Sequence, residues 1–163
     1  MQKLIKIVLG VSFIFYLFIL VVLLFLGYRG YVWADQTLIE YMKSSSNFVP
    51  FKTIGLYINA ISSGSMNMDI PLKNLVGNLI MFLPMGIYLP YFMKKLNKVM
   101  IFSMSMTFLL FVIEGIQVIT RRGSFDIDDF ILNMLGAWIG FGIWRVKGVQ
   151  RLVKYDTSRQ DSH

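Results

Sequence analysis

The chain lacks the residue types on which several common enzyme chemistries depend. It has no cysteine, and its single histidine, His163, is the last residue. The absence of cysteine excludes disulfides, thiolate catalysis and cysteine-ligated metal sites, and chain ends are seldom ordered enough to hold a histidine base or ligand. Charge is also scarce, at 15% of 163 residues against about 25% in globular domains. Carboxylate chemistry, with or without an oxygen-bound cation, is the main route left for an enzyme.

Apolar residues are abundant, at 56% of the sequence with a mean hydropathy of +0.62. A membrane-spanning helix needs about 20 such residues, and four segments qualify, at about 4–28, 72–92, 99–119 and 130–144. The first is longer than a signal-peptide core and no clear cleavage site follows it, which predicts a retained signal-anchor helix. We therefore expect an all-α integral membrane protein, folded as a compact bundle of four transmembrane helices.

The basic residues predict the orientation of this bundle. They precede the first segment, fill the turn between the second and third, and follow the fourth: Lys3, Lys6, Lys94, Lys95, Lys98, Arg145, Lys147, Arg151, Lys154 and Arg159. The positive-inside rule then places both termini in the cytoplasm, for a multi-pass protein of a bacterial cytoplasmic membrane. Topology and anionic lipid account for the net charge of +7, so we expect a lipid bilayer and no nucleic acid as partner. Residues 1–145 form one transmembrane domain and 146–163 a basic cytoplasmic tail.

The first loop, about residues 30–71, lies outside in this topology and is too long for a simple turn. Trp33, Leu38, Tyr41 and Met42 have the spacing of one side of a short interfacial helix, where aromatic residues are favoured. The segment 54–61 is apolar but too short to span. It is predicted to be either interfacial or re-entrant.

Polar residues recur at helical spacing in three of the four segments. A carboxylate at membrane depth costs about 2.5–3.5 kcal/mol on insertion scales, so such residues indicate a functional site. The candidate binding residues are Asn74 and Asn78, then Glu114, Gln117, Arg121 and Arg122, and then Asp126, Asp129 and Asn133, with Asn47 from the first loop. Of the two arginines, spacing favours Arg121 for the face shared with Glu114 and Gln117.

These residues are expected at similar depths near the outer side. At 1.5 Å per residue, Asn78 lies roughly 9 Å and Glu114 roughly 7 Å below the outer ends of their helices, and Asn133 lies about one turn deep. They can therefore converge on one pocket open to the extracellular face. A purely structural network is the alternative, because polar side chains also cross-link membrane helices at about 0.6 kcal/mol each and aspartates favour helix N-termini.

Two glycines in the fourth segment, Gly136 and Gly140, have the GxxxG spacing of close helix packing. We favour a seam within one chain over a dimer interface, and the sequence does not predict the oligomeric state.

The order and spacing of the motifs resemble the VanZ-like family of small bacterial membrane proteins. The resemblance covers about residues 47–144. It rests on N47-x-x-P50-F51, on N74-x-x-x-N78-x-x-x-F82-x-P84-x-G86, on E114-x-x-Q117 with R121, and on D126-x-x-D129-x-x-x-N133-x-x-G136. Some relatives carry a further hydrophobic segment where this chain has its basic tail. The resemblance implies a link to low-level resistance to the lipoglycopeptide teicoplanin.

Three kinds of function follow. The first is a binding module whose outer pocket holds teicoplanin, a lipid-linked cell-wall precursor or a partner. The second is an enzyme on a lipid-linked or cell-wall substrate, with Glu114, Asp129 and Asp126 as its carboxylates. We expect no cofactor; a Mg²⁺ or Ca²⁺ ion on those three residues is the less favoured alternative. The third, a transporter, is disfavoured because no internal repeat is visible.

Overall fold

The structure is a computed structural model that describes residues 2–26 and 37–154. Its elements are α1 (Gln2–Val21) continued by a π-helical turn (Val22–Leu26), α2 (Leu38–Ser45), α3 (Lys52–Ser63), α4 (Asp69–Phe92), a 3₁₀ turn (Lys94–Asn97), α5 (Val99–Ile119), α6 (Ile127–Arg145) and α7 (Lys147–Lys154). These two stretches contain no β-strand, so the predicted all-α fold is confirmed. Helix α2 includes Leu38, Tyr41 and Met42 of the expected interfacial helix, whereas Trp33 lies outside the described residues.

Three helical segments are long and apolar enough to cross a membrane: Lys3–Leu26, Asp69–Phe92 and Val99–Ile119. They correspond to the first three predicted spans. Helix α6 has 19 residues and carries Asp128 and Asp129 in its first turn, and it is not among these candidates. The fourth span therefore stays a prediction.

Helices α4 and α6 form the tightest pair, and glycine makes the close approach possible. A Cβ atom added to Gly136 would lie 1.9 Å from the Leu79 carbonyl oxygen, and one added to Gly140 would lie 1.9 Å from that of Leu83. Gly86 of α4 lies equally close to the α6 backbone. The predicted glycine seam within one chain is therefore confirmed, and the rising residue numbers on both sides make α4 and α6 parallel.

Helix α5 runs antiparallel to α6. The ring of Phe102 stacks on that of Phe141 at 4.5 Å, and the ring of Phe111 lies 4.9 Å from that of Phe130. The parallel α4–α6 pair and this antiparallel α5 bring three regions to one end of the bundle: the N-terminal half of α4, the C-terminal end of α5 and the N-terminal end of α6. We call this the polar end. The basic end holds residues 94–98 and 145–147.

Helix α1 packs against α4, and hydrogen bonds from tyrosine hydroxyls join the two helices. The Tyr16 hydroxyl donates to the Met81 carbonyl oxygen at 2.9 Å, and the Tyr88 hydroxyl donates to Ser12 Oγ at 3.0 Å. The apolar core between α1, α4, α5 and α6 includes Leu20, Leu24, Phe82, Met85, Phe102, Met106, Leu110, Met134, Ala137 and Phe141. At the basic end, the predicted polar tail begins as helix α7, which contacts α1 and α6.

Candidate polar site

Asp128 is the most deeply buried acidic residue of the polar end, with 1% of its surface exposed. Its carboxylate accepts hydrogen bonds from the backbone N–H groups of Phe51, Thr53 and Ile54, the latter two at 2.7 and 3.1 Å. These amides belong to the start of α3, whose own N-terminal residue provides no side-chain cap. Asp128 therefore caps α3 from across the fold, and its charge also favours the positive end of that helix.

Asp126 is likewise engaged in holding the chain together. Its Oδ1 atom accepts from Asn47 Nδ2 at 3.0 Å and from the Asp128 backbone N–H at 2.9 Å, which caps α6. Its Oδ2 atom accepts from the Thr53 hydroxyl at 2.7 Å. Both oxygens are thus bonded within the protein, so this candidate site residue has a structural explanation.

The backbone of Asn47 is also tied to the segment that leads into α6. Its N–H donates to the Phe125 carbonyl at 2.7 Å, and its carbonyl accepts from the Ile127 N–H at 3.0 Å. We call Asn47, Thr53, Asp126 and Asp128 the clasp, because together they fasten the first loop to α6. The clasp therefore joins the loop motif of Asn47 directly to the start of α6.

The second group of polar residues links the helices rather than the loops. Asn78 of α4 donates through Nδ2 to Asp129 Oδ1 of α6. On α3, burial first, and then the charges of Asp129 and Asp126, raise the pKa of Tyr57 above its usual value. Its proton is therefore retained, and Tyr57 is available as a hydrogen-bond donor.

Glu114 and Gln117 of α5 are both buried, with 4% and 3% of their surfaces exposed. Gln117 Nε2 donates to the carbonyl of Leu24 at 2.9 Å, inside the π-helical turn that ends the first span. Such turns widen the helix locally and recur at functional sites. Extending the antiparallel register of Phe102–Phe141 and Phe111–Phe130 places Glu114 level with the first turn of α6.

Asn133 lies one helical turn beyond Asp129 on α6 and is 4% exposed. Its Oδ1 atom is buried and accepts no hydrogen bond from any residue that the structure describes. We call Asn78, Glu114, Asp129 and Asn133 the inner polar group. A hydrogen bond joins Asn78 of α4 to Asp129 of α6, and the helix directions bring Glu114 to the same end.

The two arginines follow α5 in a helix-ending motif. The N–H of Arg121 donates to the Val118 carbonyl at 3.0 Å and that of Arg122 to the Gln117 carbonyl at 2.8 Å, which is the Schellman pattern. Arg121 occupies the left-handed position, with φ of 54°, where glycine is usual and another residue costs about 1–2 kcal/mol. Arg121 is half-buried and Arg122 is exposed. Both follow the end of α5 at Ile119, so helical spacing does not place Arg121 on the face of Glu114 and Gln117.

Asn74 is used differently from the other candidates. Its Nδ2 donates to the Ile70 carbonyl at 2.8 Å, one turn back in the same helix. The structure gives it no hydrogen bond to the clasp or the inner polar group.

The carboxylates are not arranged as a metal site. Within 2–26 and 37–154, no group of three or more Asp, Glu, His or Cys side chains has a geometry that could hold a metal ion.

Sequence reasoning missed three residues of this region as site candidates. Asp128 lies 100° around α6 from Asp129, so a search along one helical face passed over it. Thr53 and Tyr57 belong to an apolar segment whose placement no local pattern indicates. The run of three aspartates within four residues was the one signal for Asp128.

The fold and its buried polar residues define a helical membrane protein. Residues 13–148 of the chain match the model of the VanZ/LLP1 family, which is most of its length, and the chain belongs to that family. The match confirms the VanZ-like resemblance, and it begins before residue 47 and so includes the C-terminal part of α1. No curated protein and no solved structure matches the chain.

Proposed function

We propose that this protein is a binding module at the outer face of a bacterial cytoplasmic membrane. The inner polar group would hold the polar part of an amphiphile: teicoplanin, a lipid-linked cell-wall precursor, or a lipid-associated partner. Both termini would be cytoplasmic, and α6 would be the fourth span.

The buried amide of Asn133 is the observation that supports binding most directly. A buried carbonyl oxygen without a donor costs about 1–3 kcal/mol, and the described residues supply no donor to it. A hydroxyl or amide from a ligand would satisfy this atom. Polar ligand groups of that kind are plentiful on glycopeptides and on sugar-bearing lipids.

The neighbouring side chains would complete recognition. Asp129 is half-buried rather than enclosed, and its charge acts on Tyr57 of α3, whose hydroxyl would be a further donor to the ligand. Arg121 or Arg122, at the end of α5, would pair with a ligand phosphate or carboxylate, because arginine binds such groups in a bidentate manner.

The packing of α6 supports its assignment as a span. It lies beside α4 from Gly136 to Phe141, and the ring of Trp144 meets that of Tyr91, near the end of α4. A helix that follows a spanning neighbour over this length occupies the same layer of the bilayer. Its first turn is polar because the clasp and Asn78 surround it with hydrogen-bonding partners.

The test is binding of fluorescently labelled teicoplanin to the protein in nanodiscs, together with protection of a susceptible bacterium that expresses it. Asp129→Asn keeps the shape of the side chain and removes its charge, and Asn133→Leu removes the amide. We expect both changes to reduce binding and protection about tenfold or more, since one hydrogen bond to a charged group is worth about 1.5–3 kcal/mol. Asp69→Asn, an exposed acid at the start of α4, is the matched control. Unchanged binding in both variants would contradict the proposal.

An enzyme acting on a lipid-linked or cell-wall substrate is the second candidate. The contrast between Glu114, which is 4% exposed, and the half-buried Asp129 favours it, because carboxylates in different surroundings can serve as acid and base. Mass spectrometry of precursor lipid incubated with the protein distinguishes the two functions. A new product that is lost in Glu114→Gln would indicate catalysis, whereas unmodified lipid with retained binding would indicate a binding module.

A further inference from the structure

The loop that precedes α3 combines a largely hydrogen-bonded backbone with exposed apolar side chains. Phe48, Val49 and Phe51 are 71%, 59% and 66% exposed, and no charged residue lies between Asn47 and Phe51. In water such a patch would be unfavourable. The hydrogen bonds of the loop backbone and its level along α4 indicate what covers these apolar side chains.

The main chain of this segment needs little from the solvent. The N–H groups of Asn47, Phe51 and Thr53 donate to Phe125 and Asp128, and that of Val49 donates to the Asn47 side chain at 3.2 Å. Irregular backbone is tolerated at membrane depth only where protein groups satisfy it. The clasp provides those groups.

The level of the loop follows from α4. Lys73 is the last charged residue of α4, and Asn78, which bonds Asp129, lies five residues further along, or about 7 Å deeper. Asp128 is the neighbour of Asp129 and bonds Phe51, Thr53 and Ile54. The start of α3 is therefore held at the level of a part of α4 that lies deeper than Lys73, the last charged residue of that helix.

We infer that residues 47–53 form a re-entrant loop in the upper acyl layer of the bilayer, with Phe48, Val49 and Phe51 in contact with lipid chains. Lys52, the exposed first residue of α3, extends its long stem so that its ammonium group reaches the lipid phosphates. Asp126 and Asp128 serve as the buried acceptors that make this placement possible. The inference depends on α4 crossing the membrane and not on the identity of any ligand of the inner polar group.

Because the chain has no cysteine, single cysteines can be placed and spin-labelled directly. Phe48→Cys, Val49→Cys and Phe51→Cys would be compared in phosphatidylethanolamine–phosphatidylglycerol vesicles for collision with oxygen, which enters lipid, and with a water-soluble nickel chelate. The references are Phe108→Cys, on the exposed face of α5, and Ser65→Cys, in the exposed α3–α4 connection.

We expect the three loop labels to resemble position 108, with oxygen collisions exceeding nickel collisions several-fold. Adding Asp128→Asn should raise nickel access at position 48 several-fold, because the loop loses charged acceptors, whereas Asp69→Asn should leave it unchanged. If the loop labels collide with nickel as often as position 65 does while position 108 stays in lipid, the inference is wrong. Three label sites keep the test decisive if one variant does not fold.

Discussion

Asp128 and Asp129 are neighbours in α6 but belong to different parts of the polar end. Asp128 bonds three backbone amides of α3, seventy or more residues away, whereas Asp129 bonds the Asn78 side chain of α4. In the clasp, Asp128 accepts from backbone N–H groups of the loop and α3, whereas in the inner polar group Asn78 and Asp129 are joined through their side chains. Burial of an acid at membrane depth therefore does not by itself indicate a ligand site. The hydrogen-bond partners of the acid distinguish a structural role from a binding role.

The largest effect should come from removing the clasp acid. Asp128→Ala leaves three amides without their acceptor, and at about 1–3 kcal/mol for each buried donor we expect a loss of about 3 kcal/mol or more in the free energy of unfolding. Asp129→Ala removes the hydrogen bond to Asn78 and should lose less, about 1 kcal/mol. Unfolding in mixed micelles with increasing denaturing detergent measures both. Equal losses would remove the distinction between the two groups.

The next effect concerns the seam that brings Asp129 to Asn78. Alanine at Gly136 or Gly140 would place a methyl group against α4 backbone atoms, and we expect such overpacking to cost about 1–3 kcal/mol. Gly115→Ala on α5 meets nothing within 4 Å and is the control. Both seam variants should also lower teicoplanin binding in nanodiscs. A stable Gly136→Ala protein would show that α6 does not depend on this approach.

A smaller effect is expected for the Asn78–Asp129 hydrogen bond itself. A double-mutant cycle of Asn78→Ala and Asp129→Ala should give a coupling of about 0.6–1.7 kcal/mol, the range for side-chain bonds between membrane helices. The same detergent titration provides the four stabilities. Additive losses, with no coupling, would mean that the two helices do not meet through these residues.

The smallest effect lies outside both groups, in the cap of α2. The Thr37 backbone N–H and then its hydroxyl lower the pKa of Glu40. A carboxyl group with a lowered folded pKa stabilises above its unfolded pKa, about 4.3, and this contribution disappears as pH falls through the folded value. Amide protection of Tyr41 and Met42 should therefore decrease as the pH drops below that unfolded value. Glu40→Gln should remove that dependence, and its persistence would assign the transition to another group.

The helices were predictable because their signals are local. The span predicted at 99–119 coincides with α5, and that at 72–92 begins three residues after α4 does. Length and hydropathy determine such segments. For α6, which begins at Ile127, the predicted start at residue 130 was three residues too late, because the first turn is polar and hydropathy alone does not detect it.

The clasp was less predictable because its bonds join residues far apart in sequence. Asn47 was identified by its motif, but the partner of Thr53 and the capping of α3 by Asp128 depend on how loops fold over α6. Helical spacing brings together residues on one face of one helix. It does not show which acid bonds a backbone amide of another element.

The central claim is that Asp128 stabilises the fold whereas Asp129 binds the ligand. The most direct test measures the binding of labelled teicoplanin to the Asp128→Asn and Asp129→Asn proteins in nanodiscs, together with the folded fraction of each variant. We predict that Asp129→Asn keeps nearly the stability of the parent chain and binds about tenfold or more weakly, while Asp128→Asn loses folded protein and the remaining folded fraction still binds. Parent-like binding by folded Asp129→Asn protein, or no binding by the parent chain, would contradict it.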